Sequence, residues 1–166
     1  SINILIKIFM LSLSFTAYSC VNPFAPKLDE ADENSFALGD TKTIGGLFEN
    51  FQYAYTFKDT TIYGSIIHKD FEFTFTDYEQ GVVKSWGRNE EMKATHGLFT
   101  NAQRLDLIWN EIISLSPDST VVIRSFELTV TYNPTNVDGA SGKVNMRLKK
   151  NSSGNWQIIK WIDESN

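Results

Sequence analysis

Few side chains in this sequence combine reactive chemistry with an apolar setting. They are Tyr55, His68, His96, the oppositely charged Glu111 and Arg124, and one cysteine, Cys20. Tyr55 ends the stripe Ile44, Leu47, Phe48, Phe51, Tyr55, whose spacing predicts an amphipathic helix from about Thr43. Its hydroxyl is a candidate hydrogen-bond donor to a ligand. The plainer alternative is a packed ring with its hydroxyl satisfied at the rim. His96 shares a predicted helix face with Met92 and Phe99, as a pocket base or as a hydrogen-bonded core imidazole. His68 is expected at the end of a short second helix, where the helix dipole favours a cation. Two separated histidines and one cysteine form no metal-ligand constellation, and neither metal nor cofactor is expected.

Glu111 and Arg124 are brought together by register. Segments 104–115 and 120–132 alternate around Ser116-Pro117-Asp118-Ser119. A four-residue turn there pairs Leu115 with Thr120, Ile113 with Val122, Trp109 with Phe126 and Leu107 with Leu128, all on one apolar face. The same register places Glu111 opposite Arg124. The pair closes the core as a rim ion pair, which offsets its desolvation only with good geometry, or Arg124 offers its fork to a ligand carboxylate. The candidate pocket therefore joins Phe51, Tyr55 and His96 to Trp109, Glu111 and Arg124, with Phe126 and Leu128.

Cys20 stands at a junction. Residues 2–15, INILIKIFMLSLSF, are apolar apart from Asn3, Lys7 and two serines. The run after Lys7, about eleven residues, is shorter than the roughly twenty needed to span a bilayer and suits a signal peptide. Residue 1 is Ser, so residues 1–19 read as a signal peptide truncated at its start. The sequence Ala17-Tyr18-Ser19-Cys20 resembles the lipobox of bacterial lipoproteins, in which the cysteine receives diacylglycerol. Ser19 fits that pattern. Ala17 and Tyr18 depart from it, and Ala17-x-Ser19 also fits ordinary secretory cleavage. Two or three acyl chains would hold the chain stably on a membrane. Residues 20–40 then read as the lipidated cysteine and a flexible tether, stiffened by Pro23 and Pro26 and solvated by five carboxylates from Asp29 to Asp40. Val21 lacks the aspartate that retains some lipoproteins in the inner membrane, so the outer membrane, facing the periplasm, is the expected location.

The 166 residues suffice for one domain with a sizeable core. A net charge of −5 argues against nucleic acid. Four tryptophans and twelve phenylalanines predict an aromatic core or an aromatic-lined cavity.

The chemistry is positioned by a recognisable order of elements. After the first helix, Asp59 or Thr60 caps a second that carries Ile62, Tyr63, Ile66 and Ile67. In FEFTFT, residues 71–76, phenylalanines alternate with polar residues as in a half-buried strand, and VVKSW adds a short one. GRNEEMKATHGLF predicts a third helix capped by Asn89. Strands follow over 104–115 and 120–132, then a loop NPTNVDGAS, a strand carrying Val144, Met146 and Leu148, and a last strand NWQIIKWI that is apolar on both faces. The fold class is α+β, with N-terminal helices packed on a curved, mainly antiparallel sheet.

From about Thr41 to Asp163 this order resembles the nuclear transport factor 2-like superfamily of cone-shaped, SnoaL-like or cystatin-like folds. The resemblance rests on FKD before TTIYGSIIHKDFEFTF, on WGRNEEM opening the third helix, and on the closing GNWQIIKW. It implies a domain over residues 41–166 and leaves activity open, since the fold hosts enzymes, carriers and scaffolds. Ketosteroid isomerase-like members use a first-helix tyrosine and an aspartate near the first strand. Aligned on Lys58-Asp59, those positions hold Phe51 and Phe75, neither of which moves a proton. The expectation is a lipid-anchored, non-catalytic cone that binds a small apolar ligand or serves as a cell-envelope interaction module, with a homodimer through the sheet. The alternative is an isomerase, cyclase or dehydratase using His96, His68 or Tyr55.

Overall fold

The computed structural model describes residues 37–77 and 80–163. The leader, Cys20 and the tether as far as residue 36 lie outside the described residues.

The first helix, α1 (Ile44–Phe57), starts where Thr43, in extended conformation, accepts the Gly46 N–H on its hydroxyl at 2.9 Å. It stops at Lys58, whose positive φ of 56° turns its N–H back onto the last carbonyls. Asp59 caps α2 (Thr60–Ile66) through the N–H groups of Thr61 and Ile62. The chain then becomes extended sooner than the sequence predicts. β1 spans Ile67–Asp77, so His68 is a strand residue and not the last residue of a helix. The β-branched pair Ile66-Ile67 favours that switch, and Ile67 pairs with Ile158 of the last strand.

β2 (Val82–Gly87) pairs antiparallel with β1 and leads into α3 (Arg88–Asn101). Gly87, not Asn89, occupies the N-cap of α3, and no side chain caps that helix. Three long strands follow, β3 (Arg104–Leu115), β4 (Val121–Asn133) and β5 (Asn136–Lys150), then β6 (Trp156–Asp163). The expected loop NPTNVDGAS is mostly strand: Val137 to Ser141 pair with Thr131 to Glu127, and only a tight turn from Asn133 to Asn136 separates β4 from β5. Asn133 Oδ1 closes that turn by accepting the Thr135 N–H.

The sheet order is β2-β1-β6-β5-β4-β3, antiparallel except that β1 runs parallel to β6. β6 is therefore central, which accounts for its apolar residues on both faces. The sheet is curved and unclosed, with α1 packed on β3 and β6 and α3 on β1 and β2. Between helices and sheet lies one core containing Leu47, Phe48, Phe51, Tyr63, Ile66 and Met146, all almost fully buried. Among the described residues no helix is long and apolar enough to cross a membrane.

Candidate functional site

The open side of the cone encloses a cavity of about 320 Å³. Phe51 and Tyr55 of α1 line it, facing Leu107, Trp109, Phe126 and Leu128 of β3 and β4. Phe73 and Trp161 come from β1 and β6, and Trp86 from β2. The aromatic rings lock one another: Phe51 stacks on Tyr55 at 5.0 Å and meets Trp109 edge-on at 5.2 Å, and Trp86 stacks on Phe73 at 4.5 Å. Five residues expected at the pocket, Phe51, Tyr55, Trp109, Phe126 and Leu128, thus share one cavity.

The other three do not reach it. His96 projects from the exposed side of α3, because the buried face of that helix is Glu91, Thr95 and Phe99 rather than Met92, His96 and Phe99. Glu111 is exposed and does not oppose Arg124. The expected register holds from Leu105 to Trp109, but two irregularities before Ser114 slip it, so that Arg124 opposes Ile112 and Val122 opposes Leu115 rather than Ile113. The loop needs the extra length: Asp118 and Ser116 close a longer turn in which Ser119 has φ 60°. Arg124 instead donates from Nε to the Asn110 carbonyl at 2.8 Å and lays its guanidinium 4.7 Å from the Phe48 ring centre, and burial pulls its pKa down. It opens on a separate, smaller depression of about 150 Å³ beside Glu49 and Gln52.

His68 is also away from the cavity, in a basic depression with Lys69, Arg88 and Lys149. Its Nδ1 accepts the Asp70 N–H at 3.1 Å, which requires that nitrogen to be unprotonated. Desolvation lowers the His68 pKa, with Lys149 and Lys69 acting the same way and Asp70 opposing them.

The site residue the sequence does not reveal is Glu91. It is 6% exposed and lines the cavity from the first turn of α3. Its Oε1 accepts the Tyr63 hydroxyl at 2.6 Å and the Thr95 hydroxyl at 3.2 Å, and its Oε2 accepts the Trp86 indole N–H at 2.8 Å. Among the described residues these donors occupy three of its roughly four lone-pair sites. A glutamate in the first turn of a helix ordinarily complements the dipole from the solvent side, and its charge hides the 91, 95, 98, 99 stripe from a hydropathy reading. The signal lies in Tyr63 and Trp86, two donors of the preceding elements that need an acceptor once buried.

Burial and then the Glu91 carboxylate raise the Tyr55 pKa well above the ordinary tyrosine value, and burial, Tyr55 and Glu91 do the same to Tyr63. Both phenols are neutral at physiological pH, and their rings meet edge-on at 5.9 Å. Tyr63, fully buried, and Trp86 both donate to Glu91, and Tyr55, Trp86 and Glu91 line the cavity. Among the described residues no group of three His, Cys, Asp or Glu could hold a metal.

No protein-family model and no curated protein matches the sequence. Solved structures do match the fold. The chain is similar to a candidate scytalone dehydratase from Novosphingobium aromaticivorans, at 13% identity and TM-score 0.63 over 74% of this chain and 81% of that one. It is similar to a nuclear transport factor 2-like superfamily protein from Salmonella enterica, at 11% identity and TM-score 0.58 over 75% and 89% of the two chains. ActVI-ORFA from Streptomyces coelicolor gives 10% identity and TM-score 0.55 over 72% and 91%. These likenesses show a nuclear transport factor 2-like cone fold.

Proposed function

We propose that this chain is an exported lipoprotein, anchored through Cys20 to the outer membrane and facing the periplasm, whose cone binds a small, largely apolar ligand without transforming it. The observation that carries the binding reading is the aromatic-walled cavity of about 320 Å³, which the described residues leave unfilled. The anchor draws its support from the sequence: an apolar leader, a small residue before the lone cysteine, and an acidic tether after it.

The catalytic alternative, an isomerase, cyclase or dehydratase of the SnoaL-like kind, draws on the buried Glu91 carboxylate and on Tyr55. Three donors already hold Glu91, and neither histidine lines the cavity, which favours binding over proton transfer. Self-association through the sheet draws on Ile108, Ile112, Ile113 and Leu115 of β3 and Val137 of β5, all exposed, and sedimentation velocity tests it.

The binding test is a titration of the mature protein with 2-naphthol, read by tryptophan fluorescence. Saturable quenching that Leu128→Trp abolishes by filling the cavity is expected. Quenching that stays linear in wild type, or survives the substitution, overturns the reading. An intact mass of the mature protein tests the anchor: a chain starting at an acylated Cys20 is expected, and an unmodified thiol rejects it.

A further inference from the structure

The cavity is lined by a buried carboxylate, Glu91, and by no lysine or arginine among the described residues. Glu91 is deeply buried, and its three hydrogen-bond partners among the described residues are neutral donors. No ion pair involves it among the described residues. Its donors satisfy its oxygens but bring no opposite charge to it. Around it stand the π systems of Trp86, Phe73, Tyr55 and Trp161, each of which attracts a cation to its face. The indole N–H groups of Trp109 and Trp161, which would welcome an acceptor, are buried within the wall and inaccessible from the lumen. An anionic ligand would meet like charge here, and a neutral one would leave Glu91 as it is.

We infer that the ligand of this cone is a small organic cation, an aryl- or alkylammonium whose apolar body fills the aromatic chamber and whose nitrogen neutralises Glu91. This rests on the reading of the cone as a binding cavity and specifies its ligand class. A protonated amine can donate to Oε2, which among the described residues accepts the Trp86 indole N–H, and the aromatic walls also accommodate a quaternary ammonium that has no hydrogen to give.

The test uses two probes of nearly the same shape, benzyltrimethylammonium and its neutral carbon isostere neopentylbenzene, titrated against the mature protein by NMR chemical-shift changes of the indole N–H signals. The cation should bind at least tenfold more tightly than the isostere. Glu91→Gln should remove that preference while the isostere still binds. The isostere pair on the wild-type protein stands as a test even if Glu91→Gln does not fold, and Leu128→Trp, which leaves Glu91 in place, should abolish binding of both probes. Equal affinity, or tighter binding of neopentylbenzene, overturns the cation assignment and leaves the apolar cavity intact. If neither probe binds, both readings fall.

Discussion

The Tyr63 hydroxyl donates to Glu91 Oε1 over 2.6 Å, joining α2 to α3 through a buried, charge-assisted hydrogen bond. Tyr63 is completely buried and its ring packs edge-on against Phe51, so the same residue ties the core to Glu91, which lines the cavity. Glu91 is held by residues from three elements: Tyr63 from α2, Trp86 from β2 and Thr95 from its own helix. One buried carboxylate therefore joins three elements at the cavity, and its energetics are open to measurement.

Tyr63→Phe removes one donor from Glu91 and keeps the ring. Hydrogen bonds to buried charged groups contribute about 1.5–3 kcal/mol, so the variant should lose about 2 kcal/mol in urea unfolding. Tyr53→Phe is the control, since Tyr53 packs against the exposed Phe57 at 4.6 Å and its change should stay within about 0.5 kcal/mol.

Gly45 and Gly46 both look like weaknesses in the first turn of α1, and the structure separates them. A Cβ on Gly46 would run into the backbone of Asp40, which crosses the helix there, while one on Gly45 meets nothing closer than the Thr43 hydroxyl at 4.0 Å. Gly46→Ala should destabilise by about 1–3 kcal/mol through overpacking. Gly45→Ala should stabilise by up to about 1 kcal/mol through helix propensity. Thermal unfolding of the two variants should give shifts of opposite sign.

His68 gives a pH dependence with a defined sign. Its pKa is lowered in the fold, so the unfolded chain binds the proton more tightly. Its contribution is complete above the unfolded value of about 6.5 and is lost as pH falls through the lower folded value. Asp70 moderates the loss, and Lys69 and Lys149 deepen it. His68→Asn keeps an acceptor for the Asp70 N–H without a titrating ring. Urea midpoints between pH 5 and 7 should fall with acidity in wild type and flatten in the variant.

The helix stripe of α1 and the alternation of β3 and β4 were legible in the sequence because each buries one face, and a one-faced pattern fixes both period and direction. That is why Phe51, Tyr55, Trp109, Phe126 and Leu128 meet at the cavity as their spacing implies. Three features resisted for separate reasons. Residues Val137 to Ser141 look like a loop because they are small and polar, yet they are strand because β4 supplies a full ladder of partners. The hydropathy stripe places His96 on the buried face of α3, whereas the buried position is filled by the charged Glu91, whose donors come from elsewhere in the chain. The β3–β4 register reads correctly only as far as Trp109, because bulges leave no hydropathy mark.

That slipped register is itself testable at Glu111 and Arg124. If the two were cross-strand partners, a double-mutant cycle would report a favourable coupling. The bulges instead place Ile112 opposite Arg124, and the guanidinium is engaged by the Asn110 carbonyl and the Phe48 ring. Glu111→Gln should therefore change stability by less than about 0.5 kcal/mol. Arg124→Met should cost about 1–2 kcal/mol from the lost backbone hydrogen bond and cation–π contact, and the double variant should equal their sum within about 0.5 kcal/mol. A coupling of 1 kcal/mol or more between the two sites would restore the unbulged hairpin and displace Arg124 from the Phe48 ring.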